Sequence, residues 1–158
     1  MRILYVEDQV EPAKLIRSLE MRGHTVCWAK TPGAATHYAI EEDGEAFDAL
    51  ILDMEMNRQL LPLALRENVE TAGMPAGLVL YSWLLPDDSP LKKRTILFSG
   101  FIHLFYKQIE RLQAEKPNSL IRVVDKNDIN YEKRIFSFLG EIEVEMAAER
   151  DSKSREER

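Results

Sequence analysis

Five short apolar segments recur along the chain, and each is bounded by turn residues or charged residues. Their side chains are mainly β-branched or aliphatic, and most of the segments are apolar throughout rather than alternating. Continuous apolar segments of this length are typical of strands covered on both faces, as in a parallel sheet. The predicted strands are residues 2–6, 25–29, 49–52, 95–98 and 120–124.

Helical periodicity separates these strands. Apolar residues recur at helical spacing between Pro12 and Gly23, and a glycine in this position commonly ends a helix. Strands that alternate with helices predict right-handed β-α-β units, and therefore an α/β domain with helices on both faces of a parallel sheet. Further helices are predicted over residues 34–40, 78–85 and 102–114, and a fifth begins near residue 128 and keeps an apolar face as far as Met146.

The composition limits the class of protein. The chain has 158 residues, the length of one domain, and its single cysteine, Cys27, cannot form an internal disulfide. Its 27 acidic residues outnumber its 21 basic residues, for a formal charge of −6. Because a nucleic-acid surface needs clustered lysine and arginine, this balance excludes a two-domain DNA-binding regulator and argues against direct contact with nucleic acid.

Neither a signal peptide nor a membrane insertion is expected. Glu7 and Asp8 interrupt the first apolar segment before a signal sequence could form. The longest apolar stretch, residues 76–85, has about half of the length that a membrane span requires. The sequence therefore predicts a soluble, cytoplasmic protein.

Polar side chains stand at the ends of four predicted strands. Glu7 and Asp8 follow the first strand, Asp53 the third, Ser99 the fourth and Lys126 the fifth. In open parallel sheets, ligands bind in the crevice beyond these carboxyl ends. Three carboxylates at one edge repel each other by about 4 kcal/mol per pair at 4 Å and an effective dielectric of 20, unless a cation lies among them.

Magnesium is the cation that suits such a site. It prefers oxygen ligands and keeps several waters, so two carboxylates and one carbonyl are enough to hold it. Together with a lysine ammonium and a serine hydroxyl, it suits a transferring phosphoryl group. Each residue alone has an ordinary interpretation as a helix N-terminal charge, a turn or a solvated lysine. The placement of all of them at separate strand ends is what indicates a site.

At these residues the sequence resembles the receiver domains of two-component response regulators, over essentially residues 1–140. The matching motifs are ILYVED, RGHTV, FDALILD, TILFSG and VVDK. The resemblance implies a flavodoxin-like, doubly wound five-stranded parallel sheet with strand order 2-1-3-4-5. It also implies a phosphoacceptor with self-catalysed phosphorylation and dephosphorylation, rather than a conventional enzyme.

The same resemblance implies a role for each matching residue. Asp53 would accept a phosphoryl group from the phosphohistidine of a kinase. Asp8, Asp53 and the backbone carbonyl of Glu55 would ligate Mg²⁺, and Glu7 would reach it through water. The implied residues that hold the phosphoryl oxygens are Ser99 and Lys126, with the amide of Gly100 nearby.

The implied partners are proteins. A sensor histidine kinase or a phosphotransfer protein would supply the phosphoryl group, and a downstream protein would bind the phosphorylated form of a stand-alone receiver. A homodimer is left open. The predicted domain division places residues 1–146 in the receiver domain and residues 147–158, which lack large apolar side chains, in a charged C-terminal tail.

The sequence departs from the receiver pattern after the phosphoacceptor. An insertion of about residues 57–73 lies between the third strand and the third helix, and Leu61, Leu65 and Val69 predict one short amphipathic helix within it. This helix either packs its apolar side on the domain or forms a lid or docking element beside Asp53.

Two further departures concern the fifth strand and the loop after it. Asn127 follows Lys126 where the family usually has proline, so a trans or strained loop is expected and the reach of Lys126 is left open. Val123 replaces the aromatic residue that commonly moves on phosphorylation. Tyr106 and Phe101 are the alternative switching residues, although core packing is the favoured interpretation for Phe101.

Two other classes of protein use the same fold. A pseudo-receiver would use the same fold as a phosphorylation-independent protein-binding module, and the altered lysine loop and the insertion favour it. A nucleotide-binding enzyme on this fold lacks support, because the chain has no glycine-rich phosphate loop of the Rossmann or P-loop kind.

Overall fold

The computed structural model describes residues 1–9, 13–41, 47–63, 65–66, 73–115 and 121–156. Five parallel strands form one sheet in the order β2-β1-β3-β4-β5, which confirms the predicted topology. The strands are β1 (Arg2–Val6), β2 (Thr25–Ala29), β3 (Ala49–Asp53), β4 (Thr95–Ser99) and β5 (Arg122–Asp125). Asp53 and Ser99 are thus the last residues of their strands. Leu120, predicted to start the fifth strand, lies outside the described residues.

Helices follow most of the strands, near the predicted positions. They are α1 (Ala13–Glu20), α2 (Pro32–Thr36) with a π-helical turn after it (His37–Glu41), α3 (Ala76–Leu84), α4 (Pro90–Lys93), α5 (Ile102–Glu115) and α6 (Tyr131–Glu156). The helix α4 was not predicted, because four residues are too few to show a helical period.

Local sequence explains where α1 ends and where α2 begins. Gly23 adopts a φ of 82°, and its N–H donates to the carbonyl of Glu20 at 2.9 Å, as expected for a glycine that ends a helix. At the start of α2, the Thr31 hydroxyl accepts a hydrogen bond from the Ala34 N–H at 3.1 Å. Pro32 then occupies the first turn, where its missing N–H costs nothing.

The core lies in two layers, one on each face of the sheet, because alternate residues of a strand point to opposite faces. On β3, Ile51 packs with α1 and α6, whereas Leu50 and Leu52 pack with α2, α3 and α5. All five residues of β3 are buried, which agrees with the continuous apolar pattern of a central strand.

The first part of the insertion packs on the domain. A 3₁₀ turn spans Arg58–Leu60, and a helical turn follows, in which the Arg66 N–H donates to the Pro62 carbonyl at 3.2 Å. Leu61 and Leu65 are both buried in the core layer shared with α3. Val69, the third residue of the predicted apolar stripe, lies outside the described residues.

The last helix is continuous from Tyr131 to Glu156 and is the longest of the described helices, with 26 residues. Its described side chains after Met146 are exposed. Division of the chain at residue 146 stays a prediction. None of the helices in the described ranges combines the length and the apolar character needed to cross a membrane.

Candidate functional site

The carboxyl ends of β1 and β3 bring three carboxylates together. Glu7 and Asp8 directly follow β1, and Asp53 ends the neighbouring strand β3. One carboxylate oxygen from each residue lies within 4.8 Å of the others. Glu7 and Asp53 are buried, and Asp8 is partly exposed. The sequence-based placement of these three residues at one sheet edge is therefore correct.

Lys126 reaches this cluster from the end of β5. Its Nζ lies 2.7 Å from Glu7 Oε2 and 2.9 Å from Asp53 Oδ1, so one ammonium pairs with two buried carboxylates. The Phe98 ring lies beside it, with Nζ 5.2 Å from the ring centroid. The described residues contain no cis peptide bond, so the loop that starts at Asn127 is trans, as expected. Proline is not needed to bring Lys126 to the site.

Burial and neighbouring charges shift the pKa values of Asp53 and Lys126. Burial raises the pKa of the Asp53 carboxyl from 3.8 to about 7; Lys126 opposes this shift and the negative charge of Glu7 adds to it. Burial alone would lower the pKa of Lys126, but the Asp53 and Glu7 carboxylates outweigh it and raise that pKa. The site thus holds a lysine that stays charged and a carboxyl that ionises near neutral pH.

One oxygen of Asp53 is left unpaired by the residues that the structure describes. Its Oδ1 accepts hydrogen bonds from the Glu55 N–H at 3.1 Å and from Lys126. Its Oδ2 is buried and has no hydrogen-bond partner within the described part of the chain. An unpaired buried carboxylate oxygen is costly, and a cation would stabilise it. Three converging carboxylates with only one ammonium among them suit Mg²⁺.

Ser99 and Gly100 form the side of the site contributed by β4. Ser99 is buried, and its hydroxyl oxygen accepts a hydrogen bond from the Phe101 N–H at 3.0 Å. The Gly100 N–H donates to Glu55 Oε2 at 2.9 Å. The Ser99 carbonyl accepts from the Lys126 N–H at 2.8 Å, which ties this side to the lysine loop.

The sequence motifs did not identify three residues that shape the site. The Tyr5 hydroxyl lies 3.5 Å from Glu7 Oε2, and burial, then the charges of Glu7 and Asp53, raise the pKa of Tyr5 far above its usual range. The Asn57 N–H donates to Asp8 Oδ2 at 2.6 Å. Tyr5 stands two residues before Glu7, on the same side of the strand, but only the folded backbone reveals the contact of Asn57.

Gly77 is the third of these residues. Its N–H donates to the Met54 carbonyl at 3.1 Å, and a Cβ at this position would lie 2.1 Å from the Asp53 carbonyl oxygen. Only glycine allows the start of α3 to approach β3 so closely. In the sequence, Gly77 closely follows Met74 and Pro75 at the end of the insertion, and a glycine in this position is the signal for such a close approach.

The core-packing interpretation of Phe101 is wrong. Its side chain is 52% exposed, because it stands at the turn between β4 and α5, where no core layer covers it. Tyr106 is also exposed, at 57%. Both residues are therefore accessible next to the site or along α5.

Two concave regions differ in their chemistry. A small cavity of about 190 Å³ adjoins the site and is lined by Glu7, Lys126 and Tyr131 among others. A much larger open groove of about 1010 Å³, beside Trp83, lies at the opposite end of the sheet. The smaller cavity is the one that meets the acidic cluster, through Glu7 and Lys126, so size alone does not identify the functional site.

Solved structures of response regulator receiver domains resemble this fold. The response regulator domain of CheB from Thermotoga maritima has a TM-score of 0.56 and 18% identity, covering 90% of this chain and 93% of that chain. A CheY-like receiver domain from Methylobacillus flagellatus has a TM-score of 0.52 and 22% identity, covering 87% and 96%. A receiver domain from Clostridium thermocellum has a TM-score of 0.53 and 17% identity, covering 93% and 98%.

These similarities are of structure. No protein-family model matches the sequence, and no curated protein sequence matches it. The strand order, and the alignments over most of both chains, confirm the flavodoxin-like fold implied by the sequence motifs. The chain has the fold of the response regulator receiver domains.

Proposed function

We propose that this protein acts as a response regulator receiver that accepts a phosphoryl group on Asp53 in a Mg²⁺-dependent reaction. The observation that carries the proposal is the buried Asp53 carboxylate, whose Oδ2 lacks a hydrogen-bond partner in the described residues, among Glu7, Asp8 and Lys126. A structural ion pair would not need three carboxylates around one ammonium. A site that binds a divalent cation and a phosphoryl group needs both the carboxylates and the ammonium.

In the proposed reaction, an oxygen of Asp53 attacks the phosphorus atom of a phosphohistidine. The bond between phosphorus and the histidine nitrogen breaks, and that nitrogen keeps the electron pair. Lys126 and the Ser99 hydroxyl hold the phosphoryl oxygens. Water later hydrolyses the acyl phosphate and regenerates the carboxylate. Because positioning and charge neutralisation dominate such transfers, no separate general base is required.

The metal would be held by Asp8, Asp53 and the backbone carbonyl of Glu55, with Glu7 bound through water. When bound, it would neutralise charge on the carboxylates and on the phosphoryl oxygens. The raised pKa of Asp53, about 7, means that burial opposes the ionised nucleophile at neutral pH. A cation in the site favours the ionised form, so the metal and the nucleophile support each other.

Partners follow from this reaction. We infer a sensor histidine kinase or a phosphotransfer protein as the donor and a protein as the downstream target, all in the cytoplasm. The acidic net charge of −6 gives no support to direct contact with nucleic acid. A homodimer of the phosphorylated form is compatible with the exposed Phe101 and Tyr106.

The direct test is incubation of the full chain with acetyl phosphate and Mg²⁺, followed by intact mass spectrometry. Wild type should gain the mass of one phosphoryl group, the gain should disappear on removal of Mg²⁺, and Asp53→Asn should show none. No gain in wild type, or an equal gain in Asp53→Asn, would contradict the proposal. A sensor kinase is not needed for this test.

A pseudo-receiver is the second candidate. The observation that favours it is the position of Lys126, whose ammonium pairs with both Glu7 and Asp53 and neutralises part of their charge. Titration with Mg²⁺ by calorimetry separates the candidates. A receiver should bind the ion, and Asp8→Asn should weaken the binding about tenfold or more. A pseudo-receiver should show no saturable binding.

A further inference from the structure

A carboxylate of the protein occupies a backbone donor beside the proposed phosphoryl site. Glu55 Oε2 accepts the hydrogen bond of the Gly100 N–H at 2.9 Å. The Asn127 side-chain amide donates to the carbonyl of the same residue. Both polar backbone groups of Gly100 are therefore held by side chains from the two loops on either side of it.

The register of the sheet places this N–H next to Asp53. Asp53 pairs with Phe98, so Gly100 lies two residues beyond the level of Asp53 on the neighbouring strand. At a rise of 3.3 Å per residue and a strand spacing of 4.8 Å, the two Cα atoms are roughly 8 Å apart. An aspartate that carries a phosphoryl group spans most of that distance, which puts its oxygens in reach of the Gly100 N–H.

Glu55 links the two positions directly. Its own N–H donates to Asp53 Oδ1 at 3.1 Å, and its carboxylate extends to Gly100. The N–H of Gly100 thus already binds an anionic oxygen, which identifies it as an anion-binding donor. A single N–H cannot make a good hydrogen bond to a second anion at the same time.

We propose that the Glu55 carboxylate is an internal competitor for the Gly100 N–H and that a phosphoryl group on Asp53 must displace it. The inference rests on the proposed function and names a residue of this chain that sets the affinity of the site for the phosphoryl group. The displaced carboxylate moves towards solvent beside Phe101, which is 52% exposed. Displacement therefore changes the charge next to an accessible aromatic residue, where a protein partner can detect it.

The test uses beryllofluoride, which mimics a phosphoryl group on aspartate, with Mg²⁺ and the full chain labelled with ¹³C and ¹⁵N. Glu55→Ala should bind it about tenfold more tightly than wild type, the order expected for loss of one charge-assisted hydrogen bond. Glu55→Gln, which keeps an acceptor without the charge, should gain about threefold. Glu20→Gln removes the same charge at the exposed end of α1 and should bind as wild type does.

A second readout follows the Gly100 amide itself. Without beryllofluoride, its proton resonance should move and its hydrogen exchange should accelerate in Glu55→Ala but not in Glu20→Gln. In wild type, beryllofluoride should perturb both this amide and the Glu55 side-chain carboxyl resonance.

The outcomes separate the two proposals. Equal beryllofluoride affinity in wild type and Glu55→Ala, or an unmoved Gly100 amide in Glu55→Ala, would overturn the competitor role and leave phosphoryl acceptance intact. No binding in any variant would overturn both proposals. Binding of beryllofluoride by Glu55→Ala but not by wild type would support the competitor role in its strongest form. Loss of that binding in the double variant Asp53→Asn/Glu55→Ala would confirm that the ligand occupies Asp53.

Discussion

The two ends of the sheet carry buried charges in opposite arrangements. At the carboxyl end, Glu7 and Asp53 share the single ammonium of Lys126, and Asp53 Oδ2 has no hydrogen-bond partner among the described residues. At the amino end, buried Arg122 donates to the Lys93 carbonyl at 3.0 Å and to Glu145 Oε1 at 2.5 Å.

Two further ion pairs lie at the amino end. Arg122 Nε also lies 3.5 Å from Glu141 Oε2, an ion-pair contact without hydrogen-bond geometry, and Arg94 pairs with Glu149 of the same helix. These pairs connect α6 to the start of β5 at Arg122 and to Arg94, directly before β4. At the carboxyl end two buried carboxylates share one ammonium, whereas at the amino end a buried arginine pairs with half-exposed carboxylates. Removal of the buried charge should therefore have opposite effects at the two ends.

The largest effect of a substitution on the free energy of unfolding is expected at the carboxyl end. The pKa of Asp53 is raised from 3.8 to about 7 in the folded chain, and the unfolded chain keeps the lower value. The contribution of this carboxyl to stability is therefore complete below the unfolded pKa and is lost as pH rises to the folded pKa. Without Mg²⁺, Asp53→Asn should raise the free energy of unfolding by up to about 4 kcal/mol at pH 8.

The pH dependence tests the cause of that gain. The advantage of Asp53→Asn, measured by urea unfolding, should grow between about pH 4 and 7 and stay constant above that. Asp151→Asn, at an exposed position on α6, is the matched control and should change stability little at any pH. An advantage that does not depend on pH, or a loss of stability in Asp53→Asn, would show that the charge of Asp53 is not in excess.

The second-largest effect on stability is expected at the amino end and has the opposite sign. Arg122→Met should lower the free energy of unfolding by about 2–3 kcal/mol, because the Lys93 carbonyl and the Glu145 carboxylate lose a buried donor. Glu145 is half-exposed and can turn to water, which limits the loss. Methionine keeps most of the apolar volume, so a cavity contributes little.

Chemical denaturation with circular dichroism measures this change, and Arg17→Met, at an exposed position on α1, is the matched control. A variant as stable as wild type would mean that the arginine only fills space. The ion pairs of Arg122 would then contribute nothing to stability, and the expected difference between the two ends would be wrong.

The carboxyl end was the more predictable of the two from sequence. The carboxyl ends of parallel strands meet at one edge, so a polar residue directly after each apolar segment is enough to bring Glu7, Asp53 and Lys126 together. The pairing of Lys126 with two carboxylates was not predicted, because it depends on side-chain conformations that no spacing specifies. Likewise, the contact between the Asn57 N–H and Asp8 depends on the path of a loop.

The amino end was predicted poorly for a physical reason. The last helix has glutamates at four-residue spacing, at positions 141, 145 and 149. Such a pattern predicts a solvated acidic face. Whether such a face meets arginines depends on the rotation and position of α6 relative to β4 and β5. Arg122, which is buried at the start of an apolar strand, was the one local signal that a carboxylate had to lie nearby.

The smallest effect is expected at the outermost pair of the amino end. Glu149 is 53% exposed, so water and salt screen its attraction to Arg94. Glu149→Gln should lower the free energy of unfolding by about 0.5 kcal/mol, and the double-mutant cycle with Arg94→Met should give a coupling of less than about 1 kcal/mol. Glu143→Gln, on the same helix, is the control for a general change of helix charge. A coupling as large as the loss in Arg122→Met would mean that exposure does not weaken this pair, and that α6 is held along its length rather than mainly at the buried arginine.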